Sequence, residues 1–136
     1  MIQRIQTIWL FLAAAAATLS LKLPFFYGTK NELEKEYALT GLETPLLIIC
    51  SIVIITIALV CIFLYKNRQL QFRLTLFSII VEVLLMFLYF QQSKTFLKGT
   101  LALTSLLQVF TLLFLFLAAR GIRKDARIIA DSEKLR

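Results

Sequence analysis

Four apolar segments, at about residues 5–21, 45–65, 74–90 and 100–119, take up more than half of this 136-residue chain. Each is long enough to cross the hydrocarbon core of a bilayer, which asks for about 20 helical residues and accepts about 17. The whole chain is 60% apolar and 17% charged, where a soluble domain averages about 45–50% and about 25%. A soluble globular enzyme is excluded. The run LLIICSIVIITIALVCIFLY is rich in β-branched residues that would favour a strand in water. In lipid a helix wins, because it satisfies its own backbone polar groups. Pro45 suits the first position of that helix, where a missing N–H costs nothing. At 1.5 Å per residue the third span reaches roughly 25 Å and the second roughly 31 Å, so the longer one has room to tilt. The expected fold is all-α: one membrane domain, a four-helix bundle made of two antiparallel hairpins.

The charges sort the connections. Arg4, Lys66, Arg68, Arg73, Arg120, Arg123, Lys124, Arg127, Lys134 and Arg136 fall on one side, which is ten of the fifteen basic residues. Lys22, Lys30, Lys35, Lys94 and Lys98 fall on the other, diluted by Glu32, Glu34, Glu36 and Glu43. The positive-inside rule then places both termini in the cytoplasm. Phe25, Phe26, Tyr27, Tyr89 and Phe90 stand where an outer aromatic belt belongs, and Tyr65 where an inner one does. The first apolar run also has the look of a secretory signal. Lys22, Leu23, Pro24, Phe25 and Phe26 make a poor cleavage context, so a retained helix is expected.

Residues 23–44 form the one sizeable external segment. Asn31 with Glu34 three residues later matches a helix-start signal, and Gly41 a stop. A short helix over about 32–39 is expected, with Leu33 and Tyr37 on one face. It would serve as a lid on the bilayer surface or as a partner-binding element.

The chain has no histidine and two cysteines. Histidine-based triads, haem ligation by histidine and histidine-containing zinc sites are therefore excluded, and no phosphate-cradling loop or nucleophile elbow is present. Neither an enzymatic role nor a cofactor nor a metal is expected. Glu82 is the single ionisable residue deep in any span, at the midpoint of the third. A charge at that depth costs about 2.5–3.5 kcal/mol on insertion scales. Thr75, Ser78, Glu82 and Tyr89 recur at helical spacing on the third span, and Thr100, Thr104, Gln108 and Thr111 do so on the fourth. A connection of about residues 91–99 makes these helices antiparallel neighbours, so the two polar stripes are expected to face each other. Glu82 then lies opposite about Thr111, with Gln108 a turn further out. Three roles remain open for Glu82: holding the helices in register, meeting a basic residue of another subunit, or handling a proton or ion.

Ala13–Ala17 is a run of small side chains that lets neighbouring helices approach closely. Cys50 and Cys61 share one helix face but lie roughly 16 Å apart along it, too far to bridge. Two buried apolar thiols are expected. The segment from Arg120 onward is expected to extend the fourth helix. Its Arg120, Arg123, Lys124 and Arg127 cluster attracts anionic lipid head groups at about 1 kcal/mol per residue. Asp125, Asp131 and Glu133 mix in opposite charge, so no nucleic-acid partner is expected.

The opening MIQRIQTIWLFLAA and the closing LAARGIRKDARIIADSEKLR resemble the two ends of a family of short four-span membrane proteins from Bacteroidota, catalogued as a domain of unknown function. The resemblance spans the whole chain and implies a bacterial inner-membrane location. It carries over no activity and no catalytic residue. Small multidrug-resistance transporters are similar in size, span number and the possession of one membrane carboxylate. Theirs belongs to the first span, whereas Glu82 is in the third, so only an analogy follows.

Three functions are expected, in this order. The first is a non-enzymatic inner-membrane subunit packed against a larger membrane assembly, motivated by the small core, the polar stripe and the basic tail. The second is a small homodimeric proton- or cation-coupled carrier working through Glu82. The third is a lipid-binding or regulatory protein acting through the Arg120–Arg127 helix.

Overall fold

A computed structural model gives the fold for residues 2–29 and 37–135. Its elements are α1 (Ile2–Lys22), β1 (Phe26–Thr29), β2 (Tyr37–Leu39), α2 (Pro45–Phe63), α3 (Arg68–Ser93), β3 (Lys98–Leu101) and α4 (Leu106–Lys134). A short 3-10 turn, Leu103–Ser105, leads into α4. The helices form a ring in which α1 and α3 each pack against both α2 and α4. All four contain stretches long and apolar enough to cross a membrane.

A regular pattern of buried positions makes the bundle. On α3 these are Gln71, Thr75, Ser78, Glu82, Leu85 and Tyr89, alternating steps of four and three. On α4 they are Gln108, Thr111, Leu115, Ala118, Ala119, Ile122 and Asp125. That alternation is the 3.5-residue seam of packed antiparallel helices. What it buries is unusual for a protein in water. Four of the six buried positions on α3 are polar and a fifth, Tyr89, carries a hydroxyl, while Phe77, Ile80, Val83, Leu84 and Phe87 face outward. A polar interior with an apolar exterior suits a bundle whose solvent is lipid. Ala13, Ala14, Ala16 and Ala17 are all buried on α1, which has extensive contact with α4. Small side chains permit that close approach.

The helix ends have local causes. Pro45 occupies the first turn of α2. Asn67 caps α3, its side-chain oxygen accepting from the Leu70 N–H at 3.4 Å. Gln92 Nε2, near the end of α3, donates to Thr44 Oγ1 just before α2 at 2.9 Å.

One end of the bundle carries a three-stranded antiparallel sheet in the order β2-β1-β3. It joins the α1–α2 connection to the α3–α4 connection. Gly28 pairs opposite Gly99, and a Cβ on either would run into the Phe26 ring. That ring lies across the glycine pair and packs on Phe96, centroids 5.3 Å apart. An aromatic side chain covering strand glycines in this way supplies the packing they lack.

The sheet corrects the all-α expectation at this end. Thr100 and Leu101 belong to β3, so α4 starts at Leu106 and not at Thr100. The helix expected over 32–39 ends in a strand, since Tyr37–Leu39 pair with β1. Residues 32–36 of that expected helix lie outside the described residues. Backbone pairing with β1, which the bundle holds alongside, decides the conformation of residues 37–39. At the other end α4 runs unbroken into the basic segment, as expected. Gln6 near the start of α1 reaches Gly121 and Asp125 of α4, so the first turns of α1 lie beside the later part of α4.

Candidate functional site

The polar residues of α3 form a file along the bundle interior, and its two halves differ. At the end where the chain termini lie, each side chain of the file makes a hydrogen bond or ion pair, and among the described residues one Asp125 carboxylate oxygen is left unpartnered there. Gln6 Nε2 donates to the Gly121 carbonyl at 2.9 Å and to an Asp125 carboxylate oxygen. Arg68 Nη1 stands 3.6 Å from that same oxygen. Gly121 permits this approach, because a Cβ there would sit 3.0 Å from the Gln6 side chain. One turn further in, Gln71 Nε2 donates to the Cys61 carbonyl of α2 at 2.8 Å. Thr75 Oγ1 donates to the Gln71 carbonyl at 2.8 Å and lies 3.8 Å from Cys61 Sγ. These contacts tie α1, α4, α2 and α3 to one another.

Toward the sheet the file changes character. Glu82 is 0% exposed, and neither of its carboxylate oxygens has a hydrogen-bond partner among the described residues. Tyr89 follows two turns along, about 10 Å further toward the sheet. It too is fully buried with an unpartnered hydroxyl. The Gln108 side chain stands beside that hydroxyl. Gln108 Nε2 and the buried Ser51 hydroxyl of α2 are likewise unpartnered. Tyr89 stacks on Phe25 at 4.5 Å between centroids, and a Cβ on Gly41 would come 2.6 Å from its hydroxyl. Tyr89 therefore plugs the bundle beneath the connections at the sheet end. Its burial corrects its assignment to an aromatic belt, whereas Tyr27, Tyr65 and Phe90 do face outward.

The residues singled out from the sequence separate accordingly. Ser78, Glu82, Gln108 and Thr111 are all buried in the bundle. The hydroxyls of Ser78 and Thr111 donate to the carbonyls of Leu74 and Leu107 in their own helices, at 3.1 and 2.8 Å, and not across to the neighbour. Thr104 leaves the group, because the 3-10 turn carries it to the sheet end, where it donates to the Pro24 carbonyl. Thr100 is on an exposed strand. Arg120, Arg123, Lys124 and Arg127 are exposed on α4. Cys50 and Cys61 are free, buried thiols. Among the described residues no group of His, Cys, Asp or Glu side chains is arranged to hold a metal ion.

A comparison with protein families matches residues 2–135 to the one described as Domain of unknown function (DUF4293). The chain belongs to that family. Its match and the four long apolar helices together mark a multi-pass membrane protein. No curated protein and no solved structure matches the chain.

Gln6, Ser51, Arg68, Gln71 and Asp125 are the members that sequence reasoning missed. Asp125 had a legible signal, since it continues the step pattern of Thr111, Leu115, Ala118 and Ile122. Ser51 had none, being one small polar residue in an apolar run.

Proposed function

We propose that this is a non-enzymatic, multi-pass protein of the bacterial inner membrane, both termini cytoplasmic, that takes up and releases a proton or small cation at Glu82. The observation that carries the reading is a fully buried carboxyl with both oxygens unpartnered. Buried polar groups are nearly always bonded, and an unbonded one calls for an explanation. A carboxyl kept to hold helices in register would be bonded to the helix it holds, and this one is not. A charge from another subunit does not fit either, because Glu82 faces the inside of its own bundle. An intramembrane ionisable group is a functional candidate by default, and ion and proton pathways are the common use.

The orientation rests on the sequence, which assigns ten of the fifteen basic residues to one side of the membrane, the cytoplasmic side by the positive-inside rule. From the end that holds the termini, Gln71, Thr75 and Ser78 lead to Glu82 in steps of one turn. Each step is about 5 Å along the axis, so transfer would need water to enter between them. Arg68 and Asp125 stand at the entrance. A role within a larger assembly is compatible with this chemistry. Its partner would then meet the apolar outer faces and not Glu82.

The test is infrared spectroscopy of the full chain in bilayers as pH or cation concentration is varied. A carboxyl C=O band that responds, and that disappears in Glu82→Gln, is the expected result. Absence of any responding band, or its persistence in the variant, would overturn the reading. Liposome flux measurements on the same pair then identify the species.

A further inference from the structure

On the outer surface of the bundle, α3 and α4 leave a groove of about 210 Å³ between them, lined by Phe72, Leu76, Ile79, Phe116, Ala119, Arg120 and Arg123. It is apolar along its length and ends at two guanidinium groups. A second cavity of about 360 Å³ begins at the same Arg120 and Arg123 and continues past Lys124 and Arg127 to Ile128. The two share both arginines, so an apolar trough opens directly into a basic one.

The charge in that basic trough is not used by the protein. Among the described residues Arg68 is the one paired with a carboxylate, that of Asp125. Asp125 is buried toward α1 on the opposite side of α4, leaving Arg120 and Arg123 exposed and uncompensated. Positions 120, 123, 124 and 127 follow helical spacing, so the four cations share one face. They begin where the apolar run of α4 ends, at the depth of lipid phosphate for a helix that spans a bilayer.

We propose that this composite groove binds one anionic phospholipid, its phosphate held between Arg120 and Arg123 and an acyl chain lying along Phe72, Leu76, Ile79 and Phe116. Guanidinium groups pair with phosphate in a two-pronged geometry that a single ammonium lacks. The chain-shaped apolar trough selects a lipid over a free anion. Of the Proposed function, this inference shares only the membrane placement. It does not involve Glu82.

The experiment is native mass spectrometry of the full chain transferred from bilayers containing equal parts phosphatidylglycerol and phosphatidylcholine. One phosphatidylglycerol should be retained per chain in preference to phosphatidylcholine. The double substitution Arg120→Gln with Arg123→Gln should lower that retention by about tenfold or more, from the loss of two phosphate contacts. Lys124→Gln with Arg127→Gln removes the same charge from the part of the trough without the apolar lining, and should lower it much less. Leu76→Trp, which fills the groove at an exposed position without changing charge, should also displace the lipid. Equal losses in the two charge pairs would mean diffuse attraction and would overturn the proposal. So would unchanged retention in Leu76→Trp, or displacement of the lipid by millimolar inorganic phosphate. The Glu82 infrared band should be unaltered in all these variants, which separates failure here from failure of the proton or cation reading.

Discussion

The two halves of the bundle interior are built from similar residues and treat them in opposite ways. Near the termini, Gln6, Arg68, Gln71, Thr75 and Asp125 are joined by bonds that link all four helices, and a single Asp125 oxygen is left over. Toward the sheet, Ser51, Glu82, Tyr89 and Gln108 are as deeply buried and hold unpartnered atoms. A bonded buried network fixes geometry, while an unbonded buried group is a standing cost. The comparison assigns register to the first half and chemistry to the second. It also predicts that polar-to-apolar changes in the two halves act on stability with opposite signs.

The largest effect is expected at Asp125. Asp125→Leu leaves the partly buried Arg68 without its carboxylate and the Gln6 amide with the Gly121 carbonyl alone as acceptor. Removing one member of a buried pair costs about 3 kcal/mol or more. The fluorescence of Trp9, the one tryptophan, reports on this because its ring lies 5.8 Å from that of Phe114 on α4. Denaturation in mixed detergent should show the loss. A midpoint unchanged from wild type would place Asp125 outside the structural network.

The sharpest contrast comes from Glu82→Met, which keeps the volume and removes both unpartnered oxygens. The bundle should become more stable by about 1–2 kcal/mol, since an unsatisfied buried polar group is relieved. The responding infrared band should vanish with the carboxyl. A destabilised variant would mean that Glu82 holds the helices together, and would make the two halves alike.

How far this division was legible from sequence depends on how many residues carried each signal. The α3 stripe was readable because Thr75, Ser78, Glu82 and Tyr89 repeat over about four turns in an apolar background, which neither chance nor lipid exposure produces. Facing stripes were a fair inference from antiparallel neighbours, and Ser78, Glu82, Gln108 and Thr111 are all buried as that requires. The direction of their hydrogen bonds was not readable. A serine or threonine in a helix can turn to its own i−4 carbonyl, and Ser78 and Thr111 do so. The sheet escaped because strands of three and four residues leave no alternation to detect. Their pairing depends on Gly28 and Gly99 meeting under Phe26, a contact between segments seventy residues apart. Thr104 followed the stripe by spacing but lay beyond the true start of α4. Tyr89 looked amphipathic enough for a membrane interface, and only the stacked Phe25 and the overlying Gly41 show why it is buried.

The smallest expected effect tests whether the bonded half is bonded throughout or only at its mouth. Thr75 is 1% exposed and donates to the Gln71 carbonyl one turn back, while its hydroxyl also lies against Cys61 Sγ. Thr75→Val preserves the shape and removes only the hydroxyl. Side-chain hydrogen bonds inside membrane bundles average about 0.6 kcal/mol, and the carbonyl keeps its main-chain role, so a loss of about that size is expected. Glu82→Met and Thr75→Val are changes of the same kind, seven residues apart on one helix face. If both stabilise the protein, the interior is uniformly strained and the distinction between its halves fails. If Thr75→Val weakens it while Glu82→Met strengthens it, the boundary between scaffold and site lies within two turns of α3, between Thr75 and Glu82.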